Sequence, residues 1–312
     1  MLKTAICAIL LAAVVIACNS CEGIRLGAQA ERTDTLSAGF GEGYLLAAVG
    51  INGGITVEAS DTDECVVEVT ITGVADTDES ALALIENVNV TLDVDEDART
   101  MTLAPPEDLP SDVSVSYFIT VPQKTSLQLD TGNGGIDVTG ITGSVRARTS
   151  NAPVSCYDIT GNLDIGTSNG GIYCETLTGD FLGRTSNARV TVEFAPGGGN
   201  FQAKTSNGSV KCTGARGSVG VVTSNGGVTI EYAQDAPADP TVDVKTSNAS
   251  ITLTLPAAFA GDVRADTSNG RVQSARDFTS VRESDGNLDA TIGSGGKGVV
   301  KLDTSNGPID IE

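Results

Sequence analysis

The tripeptide Thr-Ser-Asn recurs through the second half of the chain, and this repeat restricts the fold more than any other feature of the sequence. Two degenerate copies, Thr131-Gly132-Asn133 and Glu283-Ser284-Asp285, extend the series. The commonest spacing is 18 residues, which predicts one repeated structural unit per copy. The eight exact copies begin at Thr149, Thr167, Thr185, Thr205, Thr223, Thr246, Thr267 and Thr304.

Each repeat has the pattern of two short strands. In the six repeats that start at Thr131, the fifth and seventh residues after the Thr are apolar or Cys, as in Ile136 and Val138, and alternate with polar residues. A second alternating segment precedes each Thr, as in residues 201–204. A Gly-containing turn such as 140–143 separates the two segments, so each period predicts two strands and two turns.

Two architectures accommodate this pattern. The Asn-Gly pairs at 207–208 and 225–226 suit the hairpins of an antiparallel meander, but a meander gives no reason for identity at every second turn. In a parallel β-solenoid, equivalent residues stack about 4.8 Å apart, so the asparagines of successive coils can form an amide ladder. We therefore predict an all-β protein with a parallel β-solenoid of about ten coils. The predicted ladder comprises Asn133, Asn151, Asn169, Asn187, Asn207, Asn225, Asn248, Asn269 and Asn306.

Residues 39–130 lack the exact tripeptide but are also rich in strand patterns. The stretches 65–72 and 88–94 read as strands, and Asp78–Glu86 (DESALALIE) predicts one short helix with Asp76 or Asp78 as its N-cap. A solenoid needs covered ends, so this segment is expected to cap one end. The other end, at 309–312, shows no cap, which predicts pairing with another chain, a protective charged edge or fraying.

The N-terminus has the pattern of an export signal. A single charge, Lys3, precedes the apolar run 5–17, which is short for a membrane span. Val15-Ile16-Ala17-Cys18 resembles the bacterial lipobox, so Cys18 is the predicted lipidation site. The alternative is an ordinary signal peptide, cleaved after residues 28–30. Both alternatives predict that the chain is exported. Lipidation predicts that it is anchored in the bacterial cell envelope, at the outer membrane or cell surface in preference to the soluble periplasm.

The domain boundaries follow from these patterns. We predict a lipoprotein signal peptide at 1–17, a flexible tether at 18–38, a β-rich segment at 39–130 and the repeat solenoid at 131–312. The tether is expected because residues 19–37 show no hydrophobic periodicity.

Composition removes several function classes. The formal charge is −21, and the chain has no His and no Trp, which disfavours nucleic acid and excludes His-based triads and His metal sites. The acidic runs 61–64, 76–79 and 93–97 offer oxygen ligands, but counting from Asp93 the EF-hand Gly and Glu positions are Ala98 and Ala104. We therefore expect no catalytic residues, no metal and no cofactor. A sparse basic stripe is expected near the turns, at Arg146, Arg148, Arg184, Lys204 and Lys245.

Cysteine spacing leaves one alternative open. Cys156 and Cys174 occupy the same repeat position, so their Cα atoms would lie about 4.8 Å apart on adjacent coils, within the range of a disulfide. Both side chains would, however, point the same way into a packed core. The pair is therefore a possible disulfide or a pair of small buried apolar residues.

Three segments carry a family resemblance: Ile119-Thr120-Val121-Pro122, then Gly132-Asn133-Gly134-Gly135-Ile136, then recurrent Thr-Ser-Asn-Gly. Together they resemble the adhesin-like β-strand-repeat family of unknown function, which is related to the adhesin head GIN domains. The resemblance covers about residues 45–312. It implies a β-solenoid-like fold in exported or envelope-anchored proteins, and it implies no activity and no catalytic residues.

Together these features predict a non-enzymatic, lipid-anchored envelope protein that displays a rigid acidic solenoid as an adhesin or scaffold. Its expected partners are the membrane, through the lipid anchor, and a protein or glycan, and nucleic acid is not an expected partner. One alternative is an envelope-stress sensor or regulator that binds a protein or peptide. The other is a glycan-active β-helix enzyme, which would use carboxylates and basic residues on an outer face.

Overall fold

The computed structural model describes residues 3–4, 27–284, 286–294 and 296–312. The chain forms two compact units, Met1–Ala152 and Pro153–Glu312. In each unit the strand before a Thr-Ser-Asn turn belongs to one sheet, here called the upstream sheet, and the strand after it belongs to the downstream sheet. Neighbouring repeat strands are parallel, which confirms the predicted β-solenoid and excludes the meander.

The first unit contains eleven strands and one helix among its described residues. Its upstream sheet has the order β1-β6-β7-β3-β9-β11, and its downstream sheet has the order β2-β5-β8-β4-β10. The helix α1 spans Asp78–Glu86. The strands are β1 (Lys3–Thr4), β2 (Ala28–Gly39), β3 (Leu45–Gly50), β4 (Asn52–Ser60), β5 (Glu64–Ala75), β6 (Thr91–Asp95), β7 (Thr100–Ala104), β8 (Val113–Pro122), β9 (Ser126–Thr131), β10 (Ile136–Thr139) and β11 (Val145–Arg148).

The second unit continues with seventeen strands among its described residues. Its upstream sheet has the order β13-β15-β17-β19-β21-β27-β23-β26-β25, and its downstream sheet has the order β12-β14-β16-β18-β20-β22-β28-β24. The strands are β12 (Val154–Thr160), β13 (Leu163–Gly166), β14 (Ile172–Thr178), β15 (Phe181–Arg184), β16 (Val190–Phe194), β17 (Phe201–Lys204), β18 (Val210–Ala215), β19 (Val219–Val222), β20 (Val228–Tyr232), β21 (Thr241–Lys245), β22 (Ile251–Thr254), β23 (Gly261–Thr267), β24 (Val272–Ser274), β25 (Ser280–Ser284), β26 (Asn287–Ile292), β27 (Gly298–Thr304) and β28 (Ile309–Ile311).

The core lies between the two sheets of each unit and is built from columns of equivalent residues. Val190 pairs with Val210, and Val210 pairs with Val228, so apolar side chains stack from coil to coil. Phe181 and Phe201 stack the same way on the upstream sheet, with ring centroids 5.3 Å apart. Every second residue of β15 and of β17 is buried, so even a 4-residue strand contributes two residues to the core.

The predicted helix is confirmed at Asp78–Glu86, but its predicted cap is wrong. Thr77 is the N-cap, and its hydroxyl accepts the Ser80 N–H at 3.2 Å. Thr77 has the extended backbone that an N-cap requires, so its hydroxyl takes the role predicted for the carboxylates on either side of it. The helix buries Ala81 and Ile85 against β2 and β5.

The predicted flexible tether is wrong over residues 28–38, and residues 18–26 lie outside the described parts of the chain. Strand β2 pairs antiparallel with β5 along its whole length, from Ala28 to Gly39. The sequence pattern does not predict this strand, because two of its core-facing positions carry charged residues. Arg32 and Asp34 lie between buried Ala30 and Leu36, and they form an ion pair at 2.8 Å. This pair interrupts the hydrophobic alternation without interrupting the strand.

The C-terminal coil does not form an exposed end of the second unit, so the expectation of an uncapped end at 309–312 is wrong. β27 pairs in parallel with both β21 and β23, and β28 pairs with both β22 and β24. The last coil in sequence is therefore inserted between two earlier coils. Beyond β23, β26 and β25 add antiparallel strands to the upstream sheet.

The first unit contains a similar insertion. β3 pairs in parallel with β7 and β9, and β4 pairs in parallel with β8 and β10. The coil made of β3 and β4 therefore lies between two pairs of strands, β7 and β8 on one side and β9 and β10 on the other, that all come later in the sequence.

No helix among the described residues is both long enough and apolar enough to cross a membrane.

Candidate functional site

The Thr-Ser-Asn turns place their three side chains in different environments. Every Thr of the series is buried, with between 3% and 9% of its surface exposed. The Ser and Asn that follow are exposed in all eight exact copies. The tripeptide therefore has one buried residue and two that face solvent. We call the exposed Ser and Asn residues of each unit its turn column.

The buried Thr hydroxyl joins adjacent coils. Thr223 Oγ1 accepts the Gly226 N–H of its own turn at 3.2 Å and donates to the Gly208 carbonyl of the neighbouring coil at 3.3 Å. Both bonds recur at Thr267, at 3.0 Å and 2.9 Å. One hydroxyl thus satisfies a buried donor and a buried acceptor, which Val or Ala could not do.

The Gly after Asn is required at several turns because the backbones of adjacent coils approach closely. A Cβ added at Gly208 would lie 1.6 Å from the Ala188 carbonyl oxygen, and one added at Gly226 would lie 1.7 Å from the Gly208 oxygen. No side chain fits at those distances.

The Ser backbone continues the stack. Ser206 N–H and Asn207 N–H both donate to the Ser186 carbonyl, at 3.1 and 3.0 Å, and the same pair of bonds links Ser224 and Asn225 to Ser206. These bonds leave the Ser side chains exposed. The turn is therefore hydrogen-bonded as regularly as the strands that flank it.

The asparagine side chains form a ladder in each unit, with Nδ2 of one residue donating to Oδ1 of its neighbour. In the first unit Asn151 donates to Asn133 at 2.5 Å, and Asn133 donates to Asn52 at 2.6 Å. In the second unit the successive bonds measure between 2.7 and 2.8 Å and run through Asn169, Asn187, Asn207, Asn225, Asn248, Asn306 and Asn269.

Two sets of ladder residues are missed by a search for Thr-Ser-Asn. Asn52 ends the first ladder, and the signal that would have found it is the match of Asn52-Gly53-Gly54-Ile55 to residues 133–136. A shorter ladder occupies the opposite turns of the second unit. There Asp180 accepts the Asn200 N–H at 2.8 Å and Asn200 accepts the Ser218 N–H at 2.8 Å. The side chain types vary along this ladder, so no exact repeat marks it.

The sequence profile of the Toastrack DUF4097 family matches residues 51–312. The chain belongs to the Toastrack DUF4097 family. This membership agrees with the expected adhesin-like β-strand-repeat family, and the expected relation to GIN domains stays a prediction. A search of curated proteins finds no match to this Toastrack chain.

One matching solved structure is the crystal structure of a candidate cell adhesion protein from Clostridium sporogenes. It is 10% identical in sequence to this Toastrack chain and has a TM-score of 0.23. The match covers 90% of the Toastrack chain and 98% of the other chain.

The cysteines of the Toastrack chain line the core. Cys156 and Cys174 are register partners on β12 and β14, and both are free and buried, so the disulfide that their spacing allowed is not formed. The two side chains enter the core in parallel and contact each other, and this contact together with burial raises the pKa of Cys174. Burial also raises the pKa of Cys65 to about 12. The raised pKa values keep the thiols of Cys65 and Cys174 protonated at neutral pH, so neither is an activated nucleophile. The predicted lipidation site, Cys18, lies outside the described residues.

Part of the expected basic stripe follows the upstream sheet of the second unit. Arg184 pairs in register with Lys204, and Lys245 lies two strands further on, beyond Val222. Arg184 lies 3.4 Å from Asp164, and Lys245 lies 3.7 Å from Asp243. Within the described residues no group of three His, Cys, Asp or Glu side chains is arranged to hold a metal ion.

Proposed function

We propose that this Toastrack chain is a non-enzymatic, lipid-anchored envelope protein whose solenoid presents a repetitive acidic surface to a protein or glycan partner, as an adhesin or scaffold. The observation that carries the proposal is the turn column. It offers an exposed hydroxyl and an exposed amide at each of the eight Thr-Ser-Asn turns, held by buried Thr residues and by backbone bonds between coils.

The turn column has unused hydrogen-bonding capacity. Asn187, Asn207 and Asn225 each use one N–H and the carbonyl oxygen within the ladder. A primary amide has a second N–H and a second oxygen lone pair, and the neighbouring Ser adds a hydroxyl. A ligand that contacts several coils therefore meets the same weak site repeatedly. Repeated weak contacts give useful avidity when one partner spans them.

A rigid display surface is consistent with the chemistry of the side chains. The chain has no His to act as a general base at neutral pH, and burial raises the pKa of the Cys65 and Cys212 thiols. The formal charge of −21 repels anionic lipid headgroups, so an acyl anchor at Cys18 is the feature that supports membrane attachment.

Protease shaving of intact cells tests the proposal. Cells expressing the tagged chain are compared with cells expressing Cys18→Ala, and membrane and soluble fractions are followed in both. The proposal expects the unmodified chain in the membrane fraction and cleaved by external protease, with the Cys18→Ala variant released. A membrane-bound chain that is protected from protease would overturn surface display and support the periplasmic sensor instead.

A further inference from the structure

Two exposed tyrosines share one outer surface of the second unit. Tyr157 lies on β12 and Tyr173 lies on β14, with 37% and 40% of their surfaces exposed. Their ring centroids are 5.7 Å apart and the ring planes are tilted by 52°. The chain has only five Tyr and no Trp, so this pair is a concentrated aromatic surface for such a protein. With Glu175 and Glu193 it forms what we call the tyrosine–glutamate face.

The carboxylates of this face are arranged around the rings. Glu175 is the register partner of Tyr157, and its Oε2 accepts the Tyr173 hydroxyl at 2.7 Å. That hydrogen bond is the main reason why the pKa of Tyr173 is raised, and the charge of Glu193 contributes to the same shift. Glu193 directly follows Val192, the register partner of Cys174, so it lies on the strand next to that of Glu175.

Neither carboxylate is neutralised within the described residues, where no Lys or Arg forms an ion pair with Glu175 or Glu193. The nearby cation of the same sheet, Lys211, is in register with Thr191 and not with a glutamate. Like charges on adjacent strands destabilise a sheet. The same column continues past Thr213 to Glu231 on β20, so unpaired negative charge extends across several strands.

Exposed aromatic rings beside unpaired carboxylates are complementary to organic cations. A guanidinium or ammonium group is attracted to the face of a Tyr ring, and it forms charge-assisted hydrogen bonds with a carboxylate. Arg suits both contacts at once, because its planar group stacks on a ring while its edge donates to two oxygens.

The shape of the surface favours an extended ligand. The face lies on the outside of neighbouring strands, where equivalent positions repeat about every 4.8 Å. A single small amine would contact one repeat, whereas a peptide that crosses the strands can place several side chains along the column.

We propose that the tyrosine–glutamate face docks a basic peptide segment of a partner protein, with Lys or Arg side chains over Tyr157 and Tyr173 and their charges on Glu175 and Glu193. This interaction needs neither the lipid anchor nor the turn column. The proposed interaction therefore extends the proposed function, and an experiment can support or contradict it independently of that function.

The test is binding of a fluorescein-labelled peptide of six alternating Arg-Ser units to the purified full chain, measured by anisotropy and by quenching of tyrosine emission. We expect saturable binding that weakens about tenfold in Tyr157→Ser/Tyr173→Ser and in Glu175→Gln/Glu193→Gln. The matched control is Asp243→Asn/Asp289→Asn, which removes the same charge from exposed positions of the other sheet and is expected to change affinity less than about twofold. Urea midpoints establish that each variant is folded.

Three results would overturn the proposal. The first is no saturable binding by the unmodified chain, and the second is an equal loss in the control variant, which would indicate general attraction to an acidic protein. The third is equal binding of the peptide with citrulline in place of Arg, because citrulline keeps the shape and removes the charge.

Discussion

At the scale of single residues, the repeat is explained by one hydroxyl group. Thr223 is 3% exposed and satisfies both a buried N–H of its own turn and a buried carbonyl of the next coil. Few residues can replace this Thr, because the side chain must be small and must both donate and accept a hydrogen bond. Ser and Asn are repeated for a different reason, since their backbone and amide bonds stack on those of identical neighbours.

Replacing Thr223 with Val tests this role, because Val keeps the shape and removes the hydroxyl. The variant leaves the Gly226 N–H and the Gly208 carbonyl unpaired, so we expect the free energy of unfolding to fall by about 2 kcal/mol. Urea denaturation measures this change. The control is Ser224→Ala, which alters an exposed side chain of the same turn and should change stability by less than about 0.5 kcal/mol. Equal effects of the two substitutions would contradict the bridging role.

The buried thiols predict that stability falls at alkaline pH. Burial raises the pKa of Cys65 to about 12, whereas a thiol in the unfolded chain titrates near pH 9. Between these values the unfolded chain has lost a proton that the folded chain retains, so rising pH favours unfolding. The expected slope is about 1.4 kcal/mol per pH unit for each such thiol. Urea midpoints from pH 8 to pH 11 measure it.

The matched variant for this prediction is Cys65→Ala, which removes one titrating group. Its stability should decline less steeply than that of the unmodified chain over the same pH range. Identical slopes would show that the Cys65 thiol ionises with the same pKa in the folded and unfolded chains.

At the scale of elements, the attachment of α1 depends on an ion pair in β2. Arg32 Nη1 donates to the carbonyls of Ile85 and Glu86, at 2.8 and 3.0 Å, and Nη2 donates to the Val88 carbonyl. The last turn of α1 contains no basic residue of its own. Arg32 therefore supplies from a neighbouring strand the positive charge and the donors that a helix C-terminus lacks.

Replacing Arg32 with Ala should destabilise the first unit by about 3 kcal/mol, because it frees the helix carbonyls and leaves Asp34 buried without its cation. Chemical denaturation followed by circular dichroism measures the loss. A double variant, Arg32→Ala/Asp34→Ala, should recover part of it, since no buried charge then remains. Lys124→Ala removes an ion pair with Glu42 that is more than half exposed, and it should cost less than about 0.5 kcal/mol. A loss at Arg32 no larger than the loss at Lys124 would contradict the role of the pair.

The elements also show what could be predicted from the sequence. The period of the tripeptide was enough to predict two strands per repeat, parallel stacking and the asparagine ladder, because a short unit that repeats regularly places equivalent residues on successive coils. β2 was missed because Arg32 and Asp34 occupy core-facing positions that a search for apolar alternation rejects. The order of the coils was also missed. The residues of a coil that ends a stack show the same local pattern as those of a coil inserted into the stack.

At the scale of the whole molecule, each compact unit contains a coil placed out of sequence order. In the second unit the coil of β27 and β28 lies between the coil of β21 and β22 and the coil of β23 and β24. Its strands gain partners on both sides, and the antiparallel pair β25 and β26 covers the strand beyond. Such long-range pairing costs loop-closure entropy and is expected to slow folding.

Cysteine cross-linking of the turn column measures the stacking order directly. Ser305 N–H donates to the Ser247 carbonyl, and Asn269 N–H donates to the Ser305 carbonyl, so the order of coils is 247, 305, 268. Adjacent coils are about 4.8 Å apart, within disulfide range, and alternate coils are about twice as far, outside it. Under mild oxidation, Ser247→Cys/Ser305→Cys should form a disulfide and Ser247→Cys/Ser268→Cys should not, as read by non-reducing mass spectrometry. A disulfide in the second variant and none in the first would contradict the inserted coil.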